Sequence, residues 1–220
     1  MGEVTVYENE LLIVIRSIIH FYGEAADQNL AEIVVNDISA QWNGPDPMIY
    51  FDRQWFNVRF EIDGKYNPGL APEEVIENIY PENNYFRVEN FATGNISFVD
   101  EIGSNTGYFL KVNLLNHSTT AAHEYGHSLG LKHPTVLDIR GKGEPGIMFP
   151  RGTIVDPEYQ YDPQAKPGEK GGTLNPFLRK VQLSDIDDLQ IQKLDFENGK
   201  AIIGDFSSVW HEAQTKQPEK

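Results

Sequence analysis

The chain has 220 residues, no cysteine and a formal net charge of −15 at pH 7. This length allows one domain with a sizeable core. The acidic charge argues against binding to nucleic acid or anionic membranes, because phosphate contacts need clustered lysine and arginine. No apolar run approaches the length of a transmembrane helix. We therefore predict a single domain that binds no nucleic acid and has no membrane span.

The N-terminal half alternates patterns typical of strands and helices. Residues 11–22 are rich in Ile and Val and predict a buried first strand. Apolar residues at helical spacing then predict a helix over 27–42, capped at Asp27. The other elements predicted in this half are a short helix at 72–80 and strands at 48–52, 55–63, 85–91, 95–101 and 108–115.

Residues 123–133 read HEYGHSLGLKH and carry the clearest chemical signal of the chain. On a helix, His123 and His127 are separated by about 40° of rotation and roughly 6 Å of rise, so both imidazoles can face one ion. Two such nitrogens suit zinc. Glu124 flanks the same face, where a general base can take a proton from water bound to that ion.

The third histidine needs a turn to reach the same ion. On a continued helix, His133 would lie about 15 Å along the axis from His123. Gly130 can take the left-handed conformation that ends a helix, and Pro134 prevents the helix from resuming. Three histidine ligands leave a fourth position for water, as in catalytic zinc sites. These residues therefore predict one catalytic Zn²⁺ and hydrolysis of peptide bonds with Glu124 as general base.

The segment HEYGHSLGLKH matches all five fixed positions of H-E-x-x-H-x-x-G-x-x-H, and so it resembles the zinc signature of the metzincin metallopeptidases. The resemblance implies that Met148, in Gly-Ile-Met-Phe-Pro, forms the Met-turn beneath the ligands. Pro150 stands where astacins and serralysins have a tyrosine, so this turn is similar to that of the matrixins. Residues 182–190, QLSDIDDLQ, also resemble the start of the last helix of matrixin catalytic domains.

This resemblance implies an α+β fold of the metzincin-like zincin type. The expected architecture is a twisted mixed five-stranded sheet with two long helices above the cleft and an irregular lower subdomain ending in a helix. Residues 1–130 would form the upper subdomain with the zinc helix, and 131–214 the lower subdomain with the Met-turn and the C-terminal helix. Residues 215–220 are predicted to be a disordered tail. The resemblance also implies a monomer and an extracellular or exported protein, although the chain shows no signal-peptide pattern.

The family resemblance further implies substrate-binding residues. The strand at 95–101 would be the sheet edge that pairs with an extended substrate. The segment after Met148 would border the pocket for the side chain that follows the cut bond. The predicted substrate-binding residues are Ile96, Ser97, Phe98, Val99, Phe149, Pro150 and Arg151. An ordinary paired strand and a solvated insertion at 151–176 are the competing interpretations.

The acidic composition and the zinc signature leave alternatives open. Calcium binding, for example by residues 156–162, competes with a simply solvated acidic surface. The leading hypothesis is a zinc endopeptidase acting on a protein or peptide substrate. One alternative is a non-hydrolytic, zinc-stabilised binding module, and another is an exported effector or toxin protease with one narrow protein target. The intact Glu124 argues against the binding module, since a protein that no longer cuts needs no base.

Overall fold

A computed structural model describes residues 1–215, and the remaining residues of the predicted tail, 216–220, lie outside the described part. The chain has a mixed α+β fold, as predicted, with one mixed sheet. The strands are β1 Gly2–Tyr7, β2 Leu12–Tyr22, β3 Met48–Phe51, β4 Gln54–Tyr66, β5 Asn83–Glu89, β6 Phe98–Val99, β7 Thr106–Leu110 and β8 Lys200–Ile203. The α-helices are α1 Gln28–Asn43, α2 Pro72–Ile76, α3 Thr120–Ser128 and α4 Leu183–Asp188.

The sheet is organised around β2, whose sequence LIVIRSIIHFY is almost continuously apolar and largely buried. Strands of this kind have both faces covered. The main order is β3-β4-β2-β5-β7-β6, in which β2 is parallel to β4 and β5, and β5 is parallel to β7. The first part of β2 also pairs with β1, which pairs in turn with β8. Strand β6 is antiparallel to β7 and forms the far edge.

The prediction of a five-stranded sheet is wrong, because the sheet of the described chain has eight strands. Strands β1 and β8 were not predicted. The strand expected at 95–101 is reduced to the two residues of β6, and the one expected at 108–115 ends at Leu110, where a 3-10 turn begins. Of the two long helices expected, α1 has 16 residues but α3 has only nine.

Helix α3 is held by contacts with the sheet and with α1. The Trp42 Nε1–H of α1 donates to the Ala122 carbonyl of α3 at 3.1 Å. The Tyr125 hydroxyl of α3 lies 2.9 Å from the Ser17 hydroxyl of β2. These buried links fix the position of the helix that carries the first two histidines. From Leu131 to β8 the chain is mostly irregular, with α4 as its α-helix. None of the helices among residues 1–215 is long and apolar enough to span a membrane.

Candidate metal centre

Three histidine side chains converge at the C-terminal half of α3. The Nε2 atom of His133 lies 3.0 Å from Nε2 of His123 and 3.0 Å from Nε2 of His127. Two imidazoles bound tetrahedrally to one zinc at ~2.0–2.1 Å would have their nitrogens ~3.3 Å apart, so the spacing is close to that of a metal site. His123 and His127 are buried, and His133 is exposed. The cluster can therefore bind a metal ion, as predicted, while the identity of the ion stays a prediction.

The hydrogen bonds of the two buried rings fix their tautomers. Nδ1 of His123 lies 2.7 Å from the Ile147 carbonyl oxygen, and Nδ1 of His127 lies 2.8 Å from the Leu131 carbonyl oxygen. A carbonyl only accepts, so each Nδ1 carries the proton and each Nε2 has a free lone pair. A single proton on His133 Nε2 can satisfy only one of these two lone pairs. A cation shared by the three nitrogens would satisfy all of them.

The environment favours the neutral form of these imidazoles, which is the form that binds metals. Burial lowers the pKa of His123 well below its usual value, and the positive charge of Arg179 lowers it further. Burial is also the main cause that lowers the pKa of His127 and of His133. A metal ion would therefore meet little competition from protons near neutral pH.

The turn after α3 returns the chain to the helix. Gly130 has a φ of +99°, a conformation that favours glycine. The Leu131 N–H donates to the Gly126 carbonyl, and the Gly130 N–H donates to the His127 carbonyl, each at 3.0 Å. This pair of bonds is the Schellman motif that ends a helix. As a result, the chain reverses and His133 reaches the two histidines of α3.

Met148 packs directly against the backbone of α3. Its side chain is buried, with 3% exposed. A Cβ added at Gly126 would collide with the Met148 sulfur and would lie 3.2 Å from the Trp42 ring. Glycine between the two helical histidines therefore allows this contact. The assignment of Met148 as a Met-turn stays a prediction, although its position below α3 suits that role.

Glu124 is a buried carboxylate beside the three histidines. It lines the same open cleft, and its side chain is largely removed from solvent. Burial raises the pKa of Glu124 to about 8, against the opposing effects of Arg179, the Val99 backbone and Arg151. A carboxylate with such a proton affinity can accept and release a proton near neutral pH.

The cleft also contains most of the predicted substrate-binding residues. Those that line it are Ile96, Ser97, Phe98, Val99, Pro150 and Arg151. Phe149 is not among the lining residues, and it packs instead against Ile139, Val155 and Leu174. Whether the lining residues bind substrate stays a prediction.

Arg179 was not predicted from the sequence, because it lies far along the chain from the zinc signature and belongs to no recognisable motif. Its side chain is buried, with 4% of the residue exposed, and it lines the cleft. Its Nε–H donates to Thr119 Oγ1 and an Nη1–H donates to the Phe149 carbonyl, each at 3.0 Å. Nη1 also lies 2.9 Å from Nδ1 of His123, but Nδ1 already carries a proton for Ile147, so the Phe149 carbonyl is the acceptor.

The calcium hypothesis gains no geometric support from residues 156–162. The Asp156 carboxylate accepts the Gly141 N–H at 2.8 Å, and the Asp162 carboxylate accepts the Gln164 N–H at 2.9 Å. Within residues 1–215, a group of three or more His, Asp or Glu side chains close enough to share an ion occurs at the three histidines and not at residues 156–162. Calcium binding therefore stays a prediction from composition.

No protein-family model matches the chain, and no curated protein matches its sequence. The fold and the site define the chain as an α+β protein with a candidate metal centre made of three histidines. A buried glutamate lies next to that centre in an open cleft.

Proposed function

We propose that the protein is a zinc-dependent endopeptidase of the metzincin type, similar to the matrixins. The observation that carries the proposal is the convergence of three imidazole lone pairs beside the buried Glu124 in an open cleft. The order along the chain supports it: α3, the turn at Gly130, Met148 under α3, and then α4. A long helix α1 packed against the zinc helix, and a short antiparallel strand at the sheet edge, are consistent with a zincin fold.

The donor set suits zinc in a catalytic rather than a structural role. Structural zinc sites usually have four protein ligands rich in cysteine, whereas this chain has no cysteine and offers three imidazoles. His123, His127 and His133 would hold the ion. When bound, zinc supplies Lewis-acid chemistry, which polarises a carbonyl group and lowers the pKa of water to about 7.

The residues of the chain would carry the proton transfers and orient the substrate. Glu124 takes the proton from the attacking water and passes it to the nitrogen of the leaving amine. Burial raises the pKa of Glu124 to about 8, so the residue can hold the proton between the two steps. Among residues 1–215, strand β6 pairs with β7 alone, so its other edge can pair with an extended peptide.

A non-hydrolytic binding module accounts less well for Glu124. Burial of a carboxylate without a cation within salt-bridge distance costs stability, and a binding protein gains nothing from that cost. No ion pair of Glu124 is present within residues 1–215. A protease with one narrow protein target would use the same site and would differ only in its range of substrates.

The test compares wild type with Glu124→Ala. We expect the variant to retain about one zinc per chain, because the three histidines remain, and to lose about 10²- to 10⁴-fold in cleavage of casein or gelatin. Zinc is measured by elemental analysis of the purified protein. Glu158→Ala is the matched control, since Glu158 is exposed and does not line the cleft.

Two outcomes would count against the proposal. If Glu124→Ala cleaves as fast as wild type, Glu124 is not the base. If wild type binds zinc stoichiometrically and cleaves no peptide of a proteome-derived library, the binding module becomes the better account.

A further inference from the structure

Arg179 is a buried cation without an acidic partner. No carboxylate lies within 4.0 Å of its guanidinium among residues 1–215. Glu124 is the acidic group that most affects its pKa, yet burial dominates and lowers the pKa of Arg179 to about 10. Buried charges are usually paired, because removing an ion from water is unfavourable. An unpaired guanidinium at this position is therefore unusual for a side chain that only supports the fold.

The hydrogen bonds of Arg179 leave one end of the guanidinium free. Nε and Nη1 are used by Thr119 and the Phe149 carbonyl. Neither N–H of Nη2 has a hydrogen-bond partner within the described chain. Nη2 is also not fully buried, since it is absent from the set of fully buried polar atoms that lack a partner. Arg179 lines the cleft next to His123, so a molecule bound in the cleft can contact its side chain.

A second arginine lines the same cleft. Arg151 lines the cleft and is exposed, and its positive charge lowers the pKa of Arg179. Two cations that repel each other are both stabilised by an anion placed between them. Carboxylates match the planar guanidinium especially well, because both groups can form two parallel hydrogen bonds.

We infer that the cleft binds a substrate carboxylate at Arg179, with Arg151 as the second cation, so that peptides with an acidic residue beside the cut bond are preferred. This inference rests on the proposed function, which it deepens. Asp and Glu side chains are one source of the carboxylate, and a free C-terminus is the other. The first source fits an endopeptidase, and the second would make the enzyme a carboxypeptidase.

Three acidic residues line the cleft, and none of them forms an ion pair with these arginines within residues 1–215. Glu124 lies close enough for both arginines to lower its pKa, but it makes no salt bridge with either. Asp100 and Glu101 line the cleft on the β6 side. The Asp100 carboxylate accepts from Nε2 of His211 at 2.8 Å and from the Thr106 hydroxyl, so its charge is already satisfied. Glu101 is exposed and forms no salt bridge within residues 1–215.

The first experiment uses the zinc-loaded wild-type chain, so it does not depend on a variant that folds. The best substrate from a peptide library is resynthesised with Glu or Gln at each of the two positions on either side of the cut bond. We expect kcat/KM to be about tenfold higher or more for Glu than for Gln at one of these positions. A factor of this size corresponds to the gain from one charge-assisted hydrogen bond. Equal values at all positions would overturn the inference and leave the peptidase proposal intact.

A binding measurement tests the inference even if no peptide is cut. Fluorescence anisotropy gives the Kd of the labelled peptides AALELAA-amide and AALQLAA-amide, and of AALQLAA with a free C-terminus. Tighter binding of the Glu peptide supports a side-chain carboxylate, and tighter binding of the free C-terminus supports the second source. If all three bind equally, or none binds, the inference is wrong whatever the protein does to peptides.

Variants assign the preference to residues. Arg179→Gln should bring the ratio of kcat/KM for the Glu and Gln peptides to about one. Arg179→Lys should retain part of the preference for Glu, since the charge remains. A residue that only supports the fold would change the rates for both peptides and leave their ratio unchanged. Arg151→Gln should reduce the ratio about two- to fivefold without affecting folding, because this residue is exposed. The exposed Arg53, which does not line the cleft, provides the charge-matched control Arg53→Gln.

Discussion

At the scale of single residues, Asp185 links the last helix to the segment that contains Met148. Its carboxylate accepts the Gln182 N–H at 2.8 Å and the Ile147 N–H at 3.4 Å. The Ile147 carbonyl in turn accepts a hydrogen bond from the Nδ1–H of His123. Asp185 thus supports the histidine indirectly, through the backbone below it. Burial raises the pKa of Asp185 from 3.8 to about 6, against the two backbone hydrogen bonds that lower it.

This pKa predicts how stability depends on pH. The folded chain binds the Asp185 proton more tightly than the unfolded chain, so this residue makes stability fall as pH rises from about 4 to about 6. Asp185→Asn removes the titration and keeps an acceptor. Relative to the variant, the free energy of unfolding of wild type should fall by on the order of 1–3 kcal/mol as the pH rises across this window. Urea denaturation at pH 4, 5, 6 and 7 measures it, with the exposed Asp195→Asn as control. A constant difference between wild type and Asp185→Asn would contradict the prediction.

The residues that could be predicted from the sequence are those at fixed short spacing. His123, Glu124 and His127 lie within one helical turn and Gly130 follows it, so helix geometry alone indicates a shared face and a turn. Arg179 and Asp185 reach the same region only because irregular chain folds back below α3. Nothing in their neighbouring residues specifies that return path, so their roles were not predictable.

At the scale of elements, the end of α3 decides whether the third histidine reaches the other two. A Cβ added at Gly130 would meet no atom of residues 1–215 within 4 Å, so the cost of a substitution comes from φ alone. Gly130→Ala should therefore fold but lose about 1–2 kcal/mol of stability in the metal-free protein. Thermal denaturation compares it with Gly69→Ala, where an added Cβ also meets nothing and φ is not positive. Equal stability of the two variants would show that the turn does not require glycine.

Elements were predicted well where the sequence pattern that specifies them is local. The helix expected over 27–42 is observed as α1, and its cap at Asp27 is confirmed by the bond from the Leu30 N–H at 2.8 Å. The buried first strand matches β2. Strands β1 and β8 are short and pair residues from opposite ends of the chain, such as Gly2 with Ile203. Pairing at that separation leaves no periodic signal in either segment.

At the scale of the whole molecule, a bound ion would join two differently organised parts. His123 and His127 lie on a helix fastened to the sheet through Tyr125 and Ser17. His133 belongs to the irregular chain that continues to α4. An ion held by all three would therefore restrain the irregular part against the sheet. The unfolded chain cannot hold the three rings together, so binding favours the folded state.

Zinc should therefore raise the melting temperature of the protein. Free zinc at about 1,000 times its Kd adds about 4 kcal/mol to the free energy of unfolding, or roughly 8–16 °C for a domain of this size. His133→Ala should lose most of this shift but keep the melting temperature of the metal-free protein, because His133 is exposed and leaves no internal cavity. His117→Ala, at another exposed histidine, should keep the full shift. Scanning calorimetry with zinc and with a chelator separates the outcomes. If His133→Ala and His117→Ala respond equally to zinc, the ion binds elsewhere and the three-histidine centre is wrong.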